Sequence, residues 1–483
     1  MTQPSLIHST ASLAEGYVAI NEKTTEVHEK DDHTVGYDNP EDNPTYPRRL
    51  LLESHRASIL SDLQQRLVSS QIPEQLEESG WAYGTERHVL KDLAREWLHE
   101  YNWEEELATL NDDFDHWTCE IDGINIHYVR HDPWAEENAT SASGEIRENP
   151  FAGKAYRMAN DQGEVILPLL LIHGWPGSWY EFAKAIKLLR KRGRFQIIAP
   201  SLPGFGWSDA PKTKGWGVKR MAETLHKLML RLGYTHYAAQ GGDWGALISR
   251  TLATLYPDNC LAIHINMLPC LPPRPLDQPL GFLKAIAGFA LPGAFYRNDP
   301  RAQESLRGLV HYARQEGGYF LLQSTKPQTL GYALQDSPMG LLAWLSEKYL
   351  SWADCDPLDK QSWPFTSKEL LTQIMIYHST DSITSSMRIY YETYANRDTE
   401  WLLAQVVPSR IPVGVGIWKK ELFMVPRHWA ESYLNVVSWN EFPKGGHFAA
   451  FERPEEFEHE IVSFFTREDV LDAFTAKRMG WKI

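Results

Sequence analysis

The feature that most restricts how this 483-residue chain can fold is a series of short, unbroken apolar segments with helix-like sequence between them. Residues 166–172, 195–199, 237–239 and 262–265 each form such a segment, bounded by turn-forming residues. A strand covered on both faces reads this way, because neither face meets water and no alternation is needed. Parallel strands also require crossover helices between them. The pattern returns at 411–417 and 436–439, and an amphipathic helix is expected over 454–465. From 267 to about 407 the regularity gives way to a region rich in Tyr, Trp, Gly and Pro, with helical patches at 340–349 and 370–377. The expectation is an α/β fold: a mostly parallel central sheet, with a helical lid inserted before its last two strands.

The upstream third differs. Residues 1–47 are polar and acidic, with HEKDDH and the turn-rich DNPEDNPTYP, and carry too little apolar surface to pack; a flexible tail is expected. In residues 48–118, SDLQQRLVSSQ and ERHVLKDLAREWLHEYNW space apolar residues three and four apart, which predicts helices. Residues 119–130 alternate around an Asp-Gly pair and predict a hairpin. Residues 131–160 read as a polar surface loop, whose NAT triplet at Asn138 is a chance match to a glycosylation acceptor. The units expected are therefore the tail (1–47), an N-terminal extension (48–118), a first core segment (119–266), the lid (267–407) and a second core segment (408–483).

Composition removes several functional classes. The net charge of −15 repels phosphate backbones and offers no basic face to anionic lipid. Cys119, Cys260, Cys270 and Cys355 are far apart and form no C-x-x-C pair, which excludes a disulfide scaffold or a cysteine zinc cluster. No apolar run approaches the ~20 residues of a membrane span. The first residues also lack the basic start and apolar core of a signal peptide. A soluble, cytoplasmic protein is expected, and a homodimer is compatible with all of these properties.

The chemistry concentrates at three turns. GGDWG at 241–245 follows the segment 237–239 and precedes a helix. This is the arrangement of a nucleophile elbow, with glycines framing one exposed side chain. Alone, Gly-Gly-Asp also reads as an ordinary turn with an Asx cap. As a nucleophile, Asp243 would attack an sp³ carbon by displacement and form an alkyl ester, unlike a serine or cysteine at the same place. HGWPGS at 173–178 follows the first apolar strand, where α/β-hydrolases place one oxyanion-hole amide; Trp175 and Trp244 are the candidate donors. His173 reads as structural. His447, glycine-flanked in GGHFAAFE before the closing helix, is the candidate base. Glu421, in WKKEL after the strand at 411–417, is the candidate acid, with Lys419 and Lys420 beside it solvated.

Taken together, HGWPGS, PGFGWSD (203–209), GGDWGA and GGHFAAFERPEE resemble the motifs of the microsomal-type epoxide hydrolases, an α/β-hydrolase family. The likeness extends from about residue 50 to 465, through the extension and through EGGYFLLQSTKPQTLGYALQDSPMGLLAWLSEKY in the lid. The resemblance implies Asp243 as nucleophile, His447 as base and Glu421 as its acid partner. It also implies two lid tyrosines that donate hydrogen bonds to the epoxide oxygen. These map to Tyr319 and Tyr390, with Tyr391 and Tyr394 as neighbours that could take the second place. It implies no metal or organic cofactor, and a small apolar epoxide as substrate. One departure is that the region matching the membrane anchor of human-type members is hydrophilic here. The lid aromatics Trp344, Trp352, Trp363, Phe320 and Phe365 suggest an apolar pocket, although any one of them could be lid core. Three alternatives stay open: a haloalkane-type dehalogenase, a catalytically dead hydrolase-fold binding protein or receptor, and a biosynthetic hydrolase-fold enzyme that guides intramolecular epoxide opening.

Overall fold

The computed structural model describes residues 44–56, 58–133, 165–394, 407 and 410–478. A nine-stranded sheet runs through it: β1 (Arg48–Arg49), β2 (Asp115–Ile121), β3 (Ile124–His131), β4 (Leu167–Ile172), β5 (Phe195–Pro200), β6 (Tyr237–Gly241), β7 (Cys260–Ile265), β8 (Val413–Ile417) and β9 (Val436–Glu441). Their order across the sheet is β1-β2-β3-β5-β4-β6-β7-β8-β9. From β5 to β9 every pairing is parallel. Strands β4 to β8 are buried at every position, which is why their sequences do not alternate. Among the parallel strands, only the edge strand β9 is partly exposed.

The expected hairpin is present and longer than its sequence pattern. β2 and β3 pair in antiparallel register up to Ile121↔Ile124, and β3 continues antiparallel onto β5. The two-residue loop Asp122-Gly123 has positive φ at both positions (54° and 79°), the conformation whose twist matches the flanking strands. β1 adds to the outer edge of β2. Only residues 44–47 of the expected tail, and 131–133 of the expected loop, lie among the described residues; Asn138 lies outside them.

The lid elements lie between β7 and β8, from Pro279–Ala290 to Ile383–Tyr394. The chain closes with the expected helix Pro454–Phe465 and a further one, Glu468–Arg478, that periodicity did not reveal. The extension forms three helices, Ile59–Ser69, Arg87–His99 and Trp103–Asp113. The side chain of Glu86 accepts from the first amides of the second, and that of Asn102 from those of the third, supplying partners for otherwise orphaned donors. Leu93 and Trp97 are buried, each contributing roughly 1.5–3 kcal/mol. These helices pack against the lid helices Pro338–Trp352 and Ser367–Ser379. Hydrogen bonds from Trp81 Nε1 to Ser351 Oγ (2.7 Å) and from Thr85 Oγ1 to the Ala343 carbonyl (2.7 Å) join the two regions. Among the described residues, no helix is long and apolar enough to cross a membrane.

Candidate active site

β6 passes into the helix Asp243–Leu255 through Gly242 alone. Asp243 sits at φ 48°, a left-handed conformation that side chains other than Asp and Asn rarely adopt and that costs about 1–3 kcal/mol. The surrounding structure holds it there by close packing. A Cβ on Gly245 would lie 1.9 Å from the Ile172 carbonyl oxygen at the end of β4, so the helix approaches that strand as closely as a bare backbone allows. Gly245→Ala is therefore expected to destabilise the protein by about 2–3 kcal/mol. The check is the urea midpoint of the variant against the parent; an unchanged midpoint would contradict the packing described.

The Asp243 carboxylate is held on two sides. Its Oδ1 accepts a 2.8 Å hydrogen bond from the Trp175 amide, in the turn after β4. There Gly174 permits the approach, since a Cβ on it would sit 2.3 Å from that same oxygen. The other oxygen, Oδ2, faces His447 Nε2 at 3.4 Å. His447 Nδ1 lies 2.8 Å from Glu421 Oε1, which also accepts from the Leu422 amide (2.8 Å) and the Phe423 amide (3.4 Å). A carboxylate on Nδ1 fixes that nitrogen as the donor and leaves Nε2 to exchange a proton with whatever stands before Asp243. All three side chains therefore converge as the sequence suggested.

Burial disfavours charge on His447, but the Glu421 charge and the hydrogen bonds to Asp243 and Glu421 outweigh it and hold the imidazole well above its ordinary value. The loop carrying His447 is itself clamped. The buried Glu452 carboxylate accepts from the Gly446 amide (2.9 Å), the Phe448 amide (3.0 Å) and the Asp354 amide (2.9 Å). Burial, partly offset by these bonds, pushes its carboxyl up to about 7. Glu452 ends the GGHFAAFE motif, where nothing in the local sequence distinguishes a clamp from a solvated glutamate.

His173 is structural. The Leu202 amide donates to its Nε2 (3.1 Å), so its Nδ1–H donates to the Gly174 carbonyl (2.9 Å). Burial lowers this ring to about 4 and keeps it neutral. The Trp244 amide, expected as a second oxyanion donor, opens the first turn of the helix but makes no bond to Asp243. Among the described residues, Trp175 is the backbone donor found on that carboxylate.

Two cavities meet at Asp243. The larger, about 420 Å³, lies beneath the lid and is lined by Trp244, Leu309, Tyr312, Tyr319, Phe320 and Tyr390, among others. Its size falls within the range of small-molecule sites. Tyr319 and Tyr390 lie with ring centroids 5.9 Å apart, against Trp175. Burial in the first place holds both phenols well above their ordinary value, so each keeps its proton. The Tyr390 hydroxyl is buried without a protein hydrogen-bond partner. Tyr319 receives one from Tyr312 OH (2.9 Å), a residue the sequence reading did not single out. Tyr394 lines the same cavity, while Tyr391 is half-buried and does not. Of the lid aromatics, Phe320 lines the cavity, whereas Trp352 and Phe365 are lid core. The second cavity, about 20 Å³, lies on the His447 side and is lined by Asp243, His447, Glu181 and Asn266 together with small and apolar residues.

A parallel sheet, a strained strand-to-helix elbow and a histidine after the last strand define an α/β-hydrolase, here with an aspartate at the elbow. Residues 168–454 match the alpha/beta hydrolase fold family, and residues 53–182 match the family described as epoxide hydrolase N terminus. Epoxide hydrolase 1 of Oryctolagus cuniculus is 33% identical over 423 residues, 84% of this chain and 86% of that protein. Juvenile hormone epoxide hydrolase 1 of Ctenocephalides felis is 34% identical over 414 residues, covering 82% and 81%. The crystal structure of juvenile hormone epoxide hydrolase from the silkworm Bombyx mori superposes with a TM-score of 0.74 at 31% identity, covering 91% of this chain and 97% of that one. The chain belongs to the epoxide hydrolase family and is an enzyme that adds water to an epoxide.

Proposed function

We propose that the enzyme converts a small apolar epoxide to a vicinal diol through a covalent ester on Asp243. The observation that carries this reading is the placement of one carboxylate at the junction of the two cavities, with Oδ1 bonded to the Trp175 amide and Oδ2, which faces His447, as the attacking oxygen. In the first half-reaction Oδ2 bonds to a ring carbon, the C–O bond of the epoxide breaks, and one lid phenol gives its proton to the ring oxygen. Tyr319 and Tyr390 suit that role because an alkoxide is far more basic than a phenol whose ordinary pKa is about 10. Alkylation also cancels the Asp243 charge, one of the influences that hold His447 protonated. Losing that influence favours release of the imidazole proton to solvent, which leaves Nε2 open to accept one from water. In the second half-reaction a water gives a proton to Nε2 and attacks the ester carbonyl, whose developing charge faces the Trp175 amide. The Trp175 and Trp244 indoles, both buried without a hydrogen-bond partner, would suit a departing halide, but the paired lid phenols answer to a basic oxygen.

Single turnover in heavy-oxygen water tests the route. The first diol released should carry no label from solvent, and the peptide containing Asp243 should gain it. Label in that first diol would refute the covalent path.

A further inference from the structure

Asp243 separates two spaces of different character. The lid cavity is large and mostly apolar, whereas the space on the far side is small, mixed in lining, and brings Glu181 and Asn266 together with Asp243 and His447. A cavity needs roughly 10–15 Å³ and two to four polar partners to hold a water, so about 20 Å³ with Asp243, His447, Glu181 and Asn266 around it is room for one. Substrate is far too large to enter there.

Glu181 is the unexplained member. It lies in the short turn Trp179–Phe182, opened by the Ser178 hydroxyl accepting from the Tyr180 amide. Among the described residues its carboxyl has no hydrogen-bond or ion-pair partner. Its Oε2 packs against Gly177 so closely that a Cβ on that residue would lie 2.2 Å away. Glu181 is partly accessible and lines the chamber, so a water held there can bond to its carboxyl. Asn266 is better accounted for, since its Oδ1 accepts from Gln240 (2.8 Å), which turns its amide nitrogen toward the Gly242 end of the chamber.

Resting on the covalent reading above, we propose that this chamber is the site of the hydrolytic water and that Glu181 is the positioning residue that holds it against the Asp243 ester. The water donates one O–H to the Glu181 carboxyl and the other to Nε2 of His447. As its oxygen bonds to the ester carbonyl carbon, the second proton passes to His447. The bond from that carbon to Oδ2 then breaks, and the departing alkoxide takes the proton from His447. Asp243 keeps the oxygen of the water and its remaining proton, which returns to the phenolate left by ring opening. Burial, and then the Asp243 charge against the opposing effect of His447, push the Glu181 carboxyl up to about 8. Esterification removes the Asp243 charge, so the second carboxyl ionises more readily as the imidazolium forms beside it.

The test separates the two half-reactions by rapid quench with a styrene-type epoxide, following ester and diol by mass. In Glu181→Ala, ester formation should stay within about threefold of the parent, while ester hydrolysis slows by roughly tenfold or more and ester accumulates. Glu181→Gln keeps an acceptor oxygen and should fall between the two. Gly177→Ala, which displaces the carboxyl without removing it, should slow the same step. Unchanged hydrolysis in the Glu181 variants, or a parallel fall in both half-reactions, would overturn the assignment. Label from heavy-oxygen water on Asp243 together with unimpaired Glu181 variants would remove this chamber alone. Label in the first diol would remove the covalent reading and the chamber with it.

Discussion

Asp243→Asn is expected to lose diol formation by roughly 10⁴-fold or more, in line with removal of a nucleophile from a covalent mechanism. The choice of asparagine matters. The residue occupies φ 48°, which Asn tolerates and Ala does not, and its amide oxygen can still accept from the Trp175 amide. The fold should therefore survive, with a thermal midpoint close to the parent, while the oxygen that attacks is replaced by an amide nitrogen. Steady-state diol assays and a melting curve on the same preparation check both halves. A folded variant retaining more than a percent or so of the parent rate would show that the carboxylate does not form the bond.

His447→Gln is expected to separate the half-reactions. The imidazole takes no part in forming the ester, so one equivalent of substrate should still be bound covalently. Hydrolysis should slow by about 10³-fold, because a general base typically contributes 10²–10⁴-fold. Intact-protein mass spectrometry after mixing with epoxide should find the chain heavier by one substrate, with the adduct on the Asp243 peptide. Full turnover by this variant, or no adduct at all, would contradict the proposed roles. The loop should hold without the ring, since the Glu452 carboxylate binds the amides on both sides of it.

Much of this was legible in the sequence, for physical reasons that differ from residue to residue. Asp243 could be found because an elbow is local: the glycines that let a helix touch β4 are a few residues from the side chain they expose. Glu421 could be found because it follows a strand whose unbroken apolar sequence announces it, and His447 because glycines precede it just before the closing helix. Tyr319 and Tyr390 could not be derived that way. They lie on separate lid helices, and among 21 tyrosines only the family resemblance distinguished them. Tyr312 and Glu181 escaped altogether. The first matters only because a wide turn at Tyr312–Glu316 brings its hydroxyl onto Tyr319. The second lies three residues past HGWPGS, where a glutamate after two aromatics reads as solvated, and its inward direction is set by a four-residue turn. β1 was equally hidden: Arg48 and Arg49 carry no strand pattern and are ordered by the β2 edge they join.

The helices before β2 have a consequence for how the molecule could be shortened. They look like an accessory preceding the hydrolase, yet the lid helices Pro338–Trp352 and Ser367–Ser379 use them as their outer wall. Tyr101, for example, reaches Thr372 at 3.1 Å. Cutting the chain at the first hairpin would strip that wall and leave buried lid leucines and aromatics facing water, just above the tyrosines. Engineered removal of this segment would have to be matched by resurfacing the rear of the lid; in this protein, front segment and cap pack as one unit.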